Sequence, residues 1–107
     1  MIVQNKVYGL LGLCSKSGKL TFGTEATEEA ILKRNIYLII VAEDSSEKTK
    51  NKFKAICEKR NINLIFYGTI DDNSKAVGKN NKAILGIKDK NMAIAINKII
   101  YGGDTIE

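Results

Sequence analysis

The chain has 107 residues, of which 44% are hydrophobic and 27% are charged, a composition typical of one soluble globular domain that is large enough to bury a core. No apolar run approaches the roughly 20 residues of a membrane-spanning helix, and the first residues lack a signal-peptide pattern, so we expect a cytoplasmic protein. The formal net charge of +5 favours a polyanionic partner. Cys14 and Cys57 are expected to be buried, reduced thiols rather than a disulfide.

The predicted elements begin with a helix. Apolar residues recur at helical spacing from Val3 to Cys14 and predict an amphipathic helix over about 4–16. We expect this helix to end near Gly18, because glycine readily takes the left-handed conformation of a helix cap. The next apolar residues, 20–22, are predicted to form a short strand.

A second helix is expected to start at Gly23 or Thr24, with the Thr24 hydroxyl as its cap, and to stop at Asn35. Its first turns contain acids and its last turn contains cations, as the helix dipole favours: Glu25, Glu28, Glu29, Lys33 and Arg34. The first N–H groups of a helix are unpaired and partly positive. This helix start is therefore a candidate site for an anion such as phosphate.

The middle of the chain predicts a buried strand and a third helix. The continuous apolar run 37–42 is rich in β-branched residues and indicates a central strand that is covered on both faces. Asp44 or Ser45 is expected to cap the helix that follows. Apolar side chains including Phe53 line its buried face, lysines occupy most of the rest, and residues 61–63 should close it.

The last third of the chain continues the alternation. Residues 64–67 predict another buried strand, a short helix follows at about 72–77, and residues 83–87 predict the last strand. A final helix is expected to end at Tyr101, before a loose tail at 104–107.

The order of the elements predicts an α/β protein, a three-layer α/β/α sandwich around a small mixed sheet of about four strands, in one domain over 1–103.

The sequence gives little support for an enzymatic function. Histidine is absent, which removes the usual general base and the commonest metal ligand. The segment from Gly12 to Lys19 lacks the second glycine of a nucleotide-binding loop. We therefore expect no catalysis, no cofactor, no metal and no small-molecule substrate.

Several charged groups are candidates for binding nucleic acid. The acids of the second helix are compatible with an ordinary first-turn role or with accepting hydrogen bonds from bases. The polar loop near Gly78 is compatible with simple solvation or with contacts to phosphates and bases, through Lys75, Lys79, Asn80, Asn81 and Lys82. Basic clusters in separate segments either converge on one surface or solubilise several faces, and the sequence leaves both open.

Short sequences spread over nearly the whole chain point to one family: Leu10-Leu11-Gly12-Leu13, Ser17-Gly18-Lys19-Leu20, Phe22-Gly23-Thr24, 38–46, 75–79 and 83–87. Together they resemble the L7Ae superfamily of ribosomal proteins, and within it the small bacterial YlxQ-type members. The resemblance implies the α/β/α fold and non-catalytic binding of structured RNA, either ribosomal or another non-coding RNA. The typical target is a kink-turn, a sharply bent internal loop with tandem sheared G·A pairs.

In that superfamily, the start of the second helix and the loop before the last strand grip the RNA together. Members with well-formed recognition have Gly-Thr-Asn-Glu there, with Lys three residues further on. This chain keeps Gly23 and Thr24 but has Glu25, Ala26 and Glu29 at the other positions. Its loop before the last strand is basic and polar, where that of the superfamily is often apolar.

The resemblance and the charges together predict these RNA-binding residues: Lys16, Lys19, Gly23, Thr24, Glu25, Thr27, Lys33, Lys75, Lys79, Asn80, Asn81 and Lys82. Backbone N–H groups at Gly23 and Thr24 are expected to meet the RNA backbone, Glu25 a base edge, and the lysines the phosphates. The alternative is a protein-interaction module that retains the fold but has lost specific kink-turn recognition. The residues at positions 25, 26 and 29 favour that alternative.

Overall fold

The computed structural model describes residues 2–102, with side chains from residue 6 onward. Helices and strands follow in the order α1 Ile2–Lys16, β1 Leu20–Phe22, α2 Thr24–Leu32, β2 Leu38–Val41, α3 Glu47–Arg60, β3 Asn63–Phe66, α4 Ile70–Ala76, β4 Ile84–Ile87 and α5 Lys90–Tyr101. The predicted tail and the predicted domain boundary at 103 lie outside the described residues. Within 2–102, none of the helices has the length and apolar character to span a membrane.

The four strands form one mixed sheet in the order β1-β4-β2-β3. Strands β2 and β3 are parallel, whereas β4 is antiparallel to both of its neighbours, β1 and β2. Helices α2 and α3 pack on one face of the sheet, and α1, α4 and α5 pack on the other. This arrangement confirms the predicted three-layer sandwich around a mixed sheet of four strands.

Strand β2 forms the centre of both cores. Because successive side chains of a strand point to opposite faces, Leu38 and Ile40 pack towards α1 and α5, while Ile39 and Val41 pack towards α2 and α3. All four are buried, as predicted for a central strand. Strand β3 was predicted to be buried as well, and that prediction is wrong: β3 is an edge strand and only Ile65 in it is buried.

Several predicted helix ends are confirmed and others are shifted. Gly18 follows α1 with a left-handed φ of 71°, as expected, and α3 closes within the predicted segment 61–63, at Asn61, whose φ is 59°. Helix α2 ends at Leu32, before the predicted stop, because Arg34 already adopts φ of 58°. The cap of α3 is Ser46 rather than either of the two preceding residues.

The two cysteines are free and buried, as predicted. Cys14 belongs to the core under α1 and α5, and Cys57 belongs to the core under α2 and α3. The sheet separates the two thiols, so they cannot form a disulfide with each other. Burial raises the pKa of Cys14 and raises that of Cys57 to about 11.

The sheet has two ends that matter for function. Strands β1, β2 and β3 finish, and β4 begins, at what we call the Gly23 end, where α2, α3 and α4 start. The opposite end, where β2 and β3 begin and β4 finishes, is called the Tyr37 end. Helices α2 and α3 finish there and α5 starts there. Every loop of the chain between residues 16 and 90 therefore lies at one end or the other.

Candidate functional site

The junction between β1 and α2 is formed by Gly23. Its φ of 88° and ψ of 175° define a conformation that is essentially restricted to glycine. The Gly23 N–H donates to the Ile84 carbonyl at 2.8 Å, which joins this junction to the start of β4. Gly23 is the N-cap of α2 and no side chain accepts from its first N–H groups, so the prediction that the Thr24 hydroxyl caps this helix is wrong.

The start of α2 differs from the other helix starts whose caps the structure describes. In α3, α4 and α5 a side-chain oxygen accepts from a backbone N–H three residues further on, and the side chains that do so are Ser46, Thr69 and Asp89. In α2 the N–H groups of residues 24–26 have no acceptor among the described residues. These groups carry the positive end of the helix dipole and are free to bind an oxygen from a ligand.

The loop before β4 lies directly beside this helix start. The Lys82 Cδ is 4.0 Å from the point that a Cβ at Gly23 would occupy. Ser74, which is 2% exposed, holds the loop: its hydroxyl accepts from the Lys82 N–H at 2.8 Å and its carbonyl accepts from the Lys79 N–H at 2.9 Å. The Lys79 Nζ lies 4.9 Å from the centroid of the Phe22 ring, a cation–π contact at the end of β1.

The remaining predicted residues of this loop and of α4 are exposed. Asn80 and Asn81 project from the loop, and Asn81 has φ of 55°. Lys75 forms an ion pair with Asp71 at 3.2 Å, one turn away on α4. Both side chains of that pair are largely solvated, so the pair contributes little to stability, and Lys75 can exchange its partner for a phosphate.

Thr27 was predicted to contact RNA, and the structure contradicts that prediction. Its side chain has no exposed surface, and its hydroxyl is 2.8 Å from the hydroxyl of Thr21 on β1. A Cβ at Gly86 on β4 would lie only 2.3 Å from the Thr21 oxygen. Thr27 therefore packs α2 closely onto β1 and β4, and it contributes to the site only by positioning the helix.

Three predicted lysines do not join Gly23. Lys19 precedes β1 and Lys33 follows α2, so both lie at the Tyr37 end, and Lys16 finishes α1 in the segment that leads there. Lys19 forms an ion pair with Asp89 at 3.1 Å, and Lys33 forms one with Glu29 at 3.4 Å. The sequence left convergence of the basic clusters open, and the structure separates these three lysines from Gly23, because β1 and α2 each extend from one end of the sheet to the other.

Acids converge on the Gly23 end instead, and the sequence reasoning missed them. The segments that start α2, α3 and α4 bring together Glu25, Glu43, Asp44, Glu47, Asp71 and Asp72. Cations of the same end are only slightly fewer and are Lys48, Lys50, Lys75, Lys79 and Lys82. Two of them form ion pairs with these acids, Lys50 with Glu47 at 3.8 Å and Lys75 with Asp71 at 3.2 Å. One of the acids has a structural role, because the Asp44 carboxylate accepts from the Ile70 N–H at 2.8 Å.

The Gly23 end thus presents two kinds of group. The N–H groups of α2 and the loop lysines attract anionic oxygens, whereas the exposed carboxylates accept hydrogen bonds from N–H and O–H groups. In residues 2–102, no cluster of three or more acidic or cysteine side chains is arranged to hold a metal ion. The arrangement suits a ligand that offers phosphates and hydrogen-bond donors a short distance apart.

A family model and a curated relative both match most of the chain. A model of the Ribosomal protein L7Ae/L30e/S12e/Gadd45 family matches residues 5–96. The RNA-binding protein YlxQ of Enterococcus faecium is 29% identical over 99 residues, which are 92% of this chain and 95% of that protein.

Two solved structures have the same fold. A Bacillus halodurans protein of unknown function superposes with a TM-score of 0.87 at 26% identity, covering 90% of this chain and 97% of that one. The Giardia lamblia 15.5kD RNA binding protein superposes with a TM-score of 0.79 at 12% identity, covering 100% of this chain and 92% of that one. The family match spans most of the chain and the fold agrees with it, so this chain belongs to the ribosomal protein L7Ae/L30e/S12e/Gadd45 family.

Proposed function

We propose that this protein binds structured RNA, without catalysing a reaction, through the Gly23 surface. We define this surface as the N–H groups of residues 24–26 together with the loop 79–82. The observation that carries the proposal is the open N-terminus of α2 with Lys82 packed beside it. The family of the chain and the name of its Enterococcus faecium relative support RNA as the ligand.

The chemistry of the Gly23 surface suits the RNA backbone. A phosphate oxygen can accept from the open N–H groups of α2, where the helix dipole adds to the attraction. The absence of a side chain at Gly23 lets the RNA approach the protein backbone closely. Lys79 and Lys82 then neutralise neighbouring phosphates, and the exposed amides of Asn80 and Asn81 offer donors and acceptors to bases or sugars.

A sharply bent RNA, such as a kink-turn, fits this surface better than a regular duplex does. A regular duplex presents continuous rows of phosphates, which would approach the acids around the Gly23 surface and be repelled. A bent internal loop exposes guanine imino and amino groups, which are hydrogen-bond donors that carboxylates can accept from. The exposed carboxylate of Glu25 lies in the first turn of α2 and can accept from such a guanine.

The same acids favour a second candidate function, a protein-interaction module that has kept the fold. Glu25, Glu43 and Asp72 are exposed at the Gly23 end and would attract a basic protein surface as readily as they accept from guanine. In that case the Gly23 end would bind a basic protein, and RNA would have no specific site there.

Titration by fluorescence anisotropy separates the two candidates. The protein is titrated against a kink-turn RNA and against an unbent duplex of equal length, at several salt concentrations. We expect tighter binding to the kink-turn and a logarithmic salt slope of about 0.7 to 0.9 for each phosphate contact. Equal affinity for both RNAs would contradict recognition of shape, and absence of binding to either would leave the protein-interaction module.

A pair of variants locates the contact. Lys79→Glu/Lys82→Glu reverses two charges of the Gly23 surface, and we expect it to weaken kink-turn binding by about tenfold or more, since each phosphate contact adds to affinity. The matched control is Lys52→Glu/Lys54→Glu, which reverses two exposed charges in the middle of α3 that belong to neither proposed surface. An equal loss of kink-turn affinity in both variants would show an effect of net charge alone.

A further inference from the structure

Charge is distributed unequally between the two ends of the sheet. The segments at the Tyr37 end, 16–19, 33–37, 59–63 and 88–90, contain these cations: Lys16, Lys19, Lys33, Arg34, Lys59, Arg60, Lys88 and Lys90. The acids of this end are Asp89, which lies within those segments, and Glu29, the ion-pair partner of Lys33. At the Gly23 end the charges nearly balance, with six acids against five lysines. A polyanion approaching the molecule is therefore attracted to the Tyr37 end most strongly.

Most of these cations are available to a ligand. Lys19 and Lys33 form ion pairs with Asp89 and Glu29. Within the described part of the chain, the remaining six cations of this end have no carboxylate partner within ion-pair distance. Four of these six line two concavities at the Tyr37 end, and they are Arg34, Lys59, Arg60 and Lys90. The side chains of these four residues are exposed, so binding a phosphate would not require breaking an existing ion pair.

The first concavity lies between the ends of α2 and α3. Its volume is about 540 Å³, and it is lined by Arg34, Lys59 and Arg60, with Ile36 and Ile62 as an apolar floor. Guanidinium groups bind phosphate oxygens in pairs through two parallel N–H groups. Two arginines and a lysine around one concave surface can therefore hold a phosphodiester backbone.

The second concavity lies on the other face of the sheet, because Leu38 and residues of α5, including Ala93, line it. Its volume is about 300 Å³, and Tyr37, Asn63, Lys90, Asn97 and Lys98 contribute to its lining. The Tyr37 side chain is 46% exposed, so its ring can stack on a base. The lysines can hold the adjoining phosphates and the two amides can bond to the base edge.

We propose that these two concavities form a second RNA-binding surface, the Tyr37 surface, which binds a single-stranded segment. The backbone would cross Arg34, Lys59 and Arg60, and a base would stack on Tyr37 between Lys90 and Lys98. A single strand fits better than a duplex because its bases are free to stack and its backbone can follow both concavities around the sheet end. The proposal shares with the proposed function only the class of ligand, and it concerns a different surface.

The probe is a fluorescein-labelled oligouridine of about 12 nucleotides, a length within the site sizes of single-strand binders. We titrate it against the full chain at low salt. Lys59→Gln/Arg60→Gln should weaken binding by about tenfold, because two phosphate contacts are lost. The matched control is Lys48→Gln/Lys54→Gln, which removes the same charge from exposed positions elsewhere on α3 and should leave most of the affinity.

Tyr37 tests the stacking contact separately. Tyr37→Ala should weaken oligouridine binding by about 5- to 150-fold, which corresponds to the loss of one stacked base. Tyr37→Phe keeps the ring and should bind about as well as the natural chain. Circular dichroism and thermal melting test whether every variant retains the fold. If Tyr37→Ala has a lower melting temperature than the natural chain, Tyr37→Leu, which keeps apolar contacts, takes its place.

The outcomes distinguish this proposal from the proposed function. Kink-turn binding that depends on Lys79 and Lys82, together with oligouridine binding that depends on Tyr37, Lys59 and Arg60, supports both. Equal losses in Lys59→Gln/Arg60→Gln and its control, or an unchanged affinity of Tyr37→Ala, overturn the second surface and leave the first intact. An absence of oligouridine binding alongside binding of an oligoglutamate peptide also overturns it, because the partner is then an acidic protein.

Discussion

Gly23 combines a backbone conformation that glycine adopts freely and other residues rarely adopt with an open position above the start of α2. A Cβ at this position would meet the Lys82 Cδ at 4.0 Å, an ordinary contact, so the constraint is the φ of 88° rather than a clash. We expect Gly23→Ala to lower the free energy of unfolding by about 1 to 3 kcal/mol. It should also weaken kink-turn binding, because relief of the strain changes the first turn of α2.

Gly102→Ala is the control for this substitution. Gly102 also has a positive φ, of 66°, and open space where its Cβ would lie, but it closes α5 on the face of the sheet opposite α2. Denaturant unfolding measures stability and anisotropy measures binding. If both variants lose stability and both lose RNA affinity to the same extent, Gly23 has no particular role in the binding surface.

Because both cysteines are buried, we expect their thiols to be unreactive in the folded protein. Burial is the main cause of the raised pKa of Cys14 and of the pKa of about 11 at Cys57. Because the thiolate is the reactive form, both side chains should resist alkylation by iodoacetamide at pH 8 in the folded protein. Mass spectrometry should show both residues modified once the chain is unfolded in guanidinium. Rapid modification of either one in the folded protein would contradict its burial.

Ser74 of α4 makes side-chain hydrogen bonds to the loop before β4. The Ser74 hydroxyl accepts from the Lys82 N–H at 2.8 Å in a partly buried setting. Ser74→Ala would leave that N–H without an acceptor and should lower the free energy of unfolding by about 1 to 3 kcal/mol. The loop lysines would lose their fixed position beside α2, so kink-turn affinity should fall as well.

Ser17→Ala is a suitable control for the loop. The Ser17 hydroxyl donates to the Leu13 carbonyl at 2.7 Å at the exposed end of α1, and its loss exposes no buried group. Stability and kink-turn affinity of this variant should stay close to those of the natural chain. A Ser74→Ala variant that binds RNA as tightly as the Ser17→Ala variant would show that the loop is held by other contacts.

The start of α5 predicts a dependence of stability on pH. The Met92 N–H, and next the Lys19 ammonium, donate to the Asp89 carboxylate and lower the pKa of that group below its ordinary 3.8. An acid with a lowered pKa in the folded state stabilises the fold above its unfolded pKa, and this contribution disappears as the pH falls through the folded value. The stabilisation from Asp89 should thus be complete near pH 6 and be lost below 3.8.

Asp89→Asn tests this dependence, because asparagine can still cap a helix but carries no charge. The natural chain should be more stable than the variant at pH 6, and the difference should shrink as the pH falls below 3.8. Urea unfolding at a series of pH values measures the free energy of unfolding of both proteins, and hence this difference. Lys19→Met keeps the Asp89 cap and removes the ion pair. We expect it to lose less stability at pH 6 than Asp89→Asn loses. A difference that is constant with pH would contradict a charged cap.

The whole molecule measures 32 × 29 × 27 Å, and its two proposed RNA surfaces lie at opposite ends of the sheet. An RNA that occupies both must extend past the body of the protein. We expect a kink-turn RNA with a single-stranded extension to bind more tightly than the kink-turn alone, once the extension is long enough to reach the Tyr37 end. Its logarithmic salt slope should rise by about 0.7 for each additional phosphate contact on the single strand.

A length series of the extension provides the measurement. The gain in affinity should disappear in Lys59→Gln/Arg60→Gln, which removes two cations of the Tyr37 end but none of the Gly23 surface. An extension that adds no affinity at any length would contradict simultaneous use of both surfaces, even where each one binds its own RNA.

Local patterns in the sequence were sufficient for the architecture. The apolar run of β2 indicated a strand covered on both faces, and Gly18 marked the end of α1, because burial and backbone preference are properties of neighbouring residues. The same patterns indicated which elements are helices and which are strands. They did not distinguish the edge strand β3 from a central one, since Leu64 and Phe66 are apolar but only partly covered by the neighbouring helices.

By itself, the sequence determined the class of fold, the family resemblance, the Gly23 turn and an excess of positive charge. Only the tertiary structure decided where that charge lies. Strand order and direction send Lys19 and Lys33 to the end of the sheet opposite Gly23, turn Thr27 into the core, and collect acids around α2. The physical reason is that periodicity reports the local environment of a segment, whereas the meeting of distant loops depends on how the strands pair and which way each one runs.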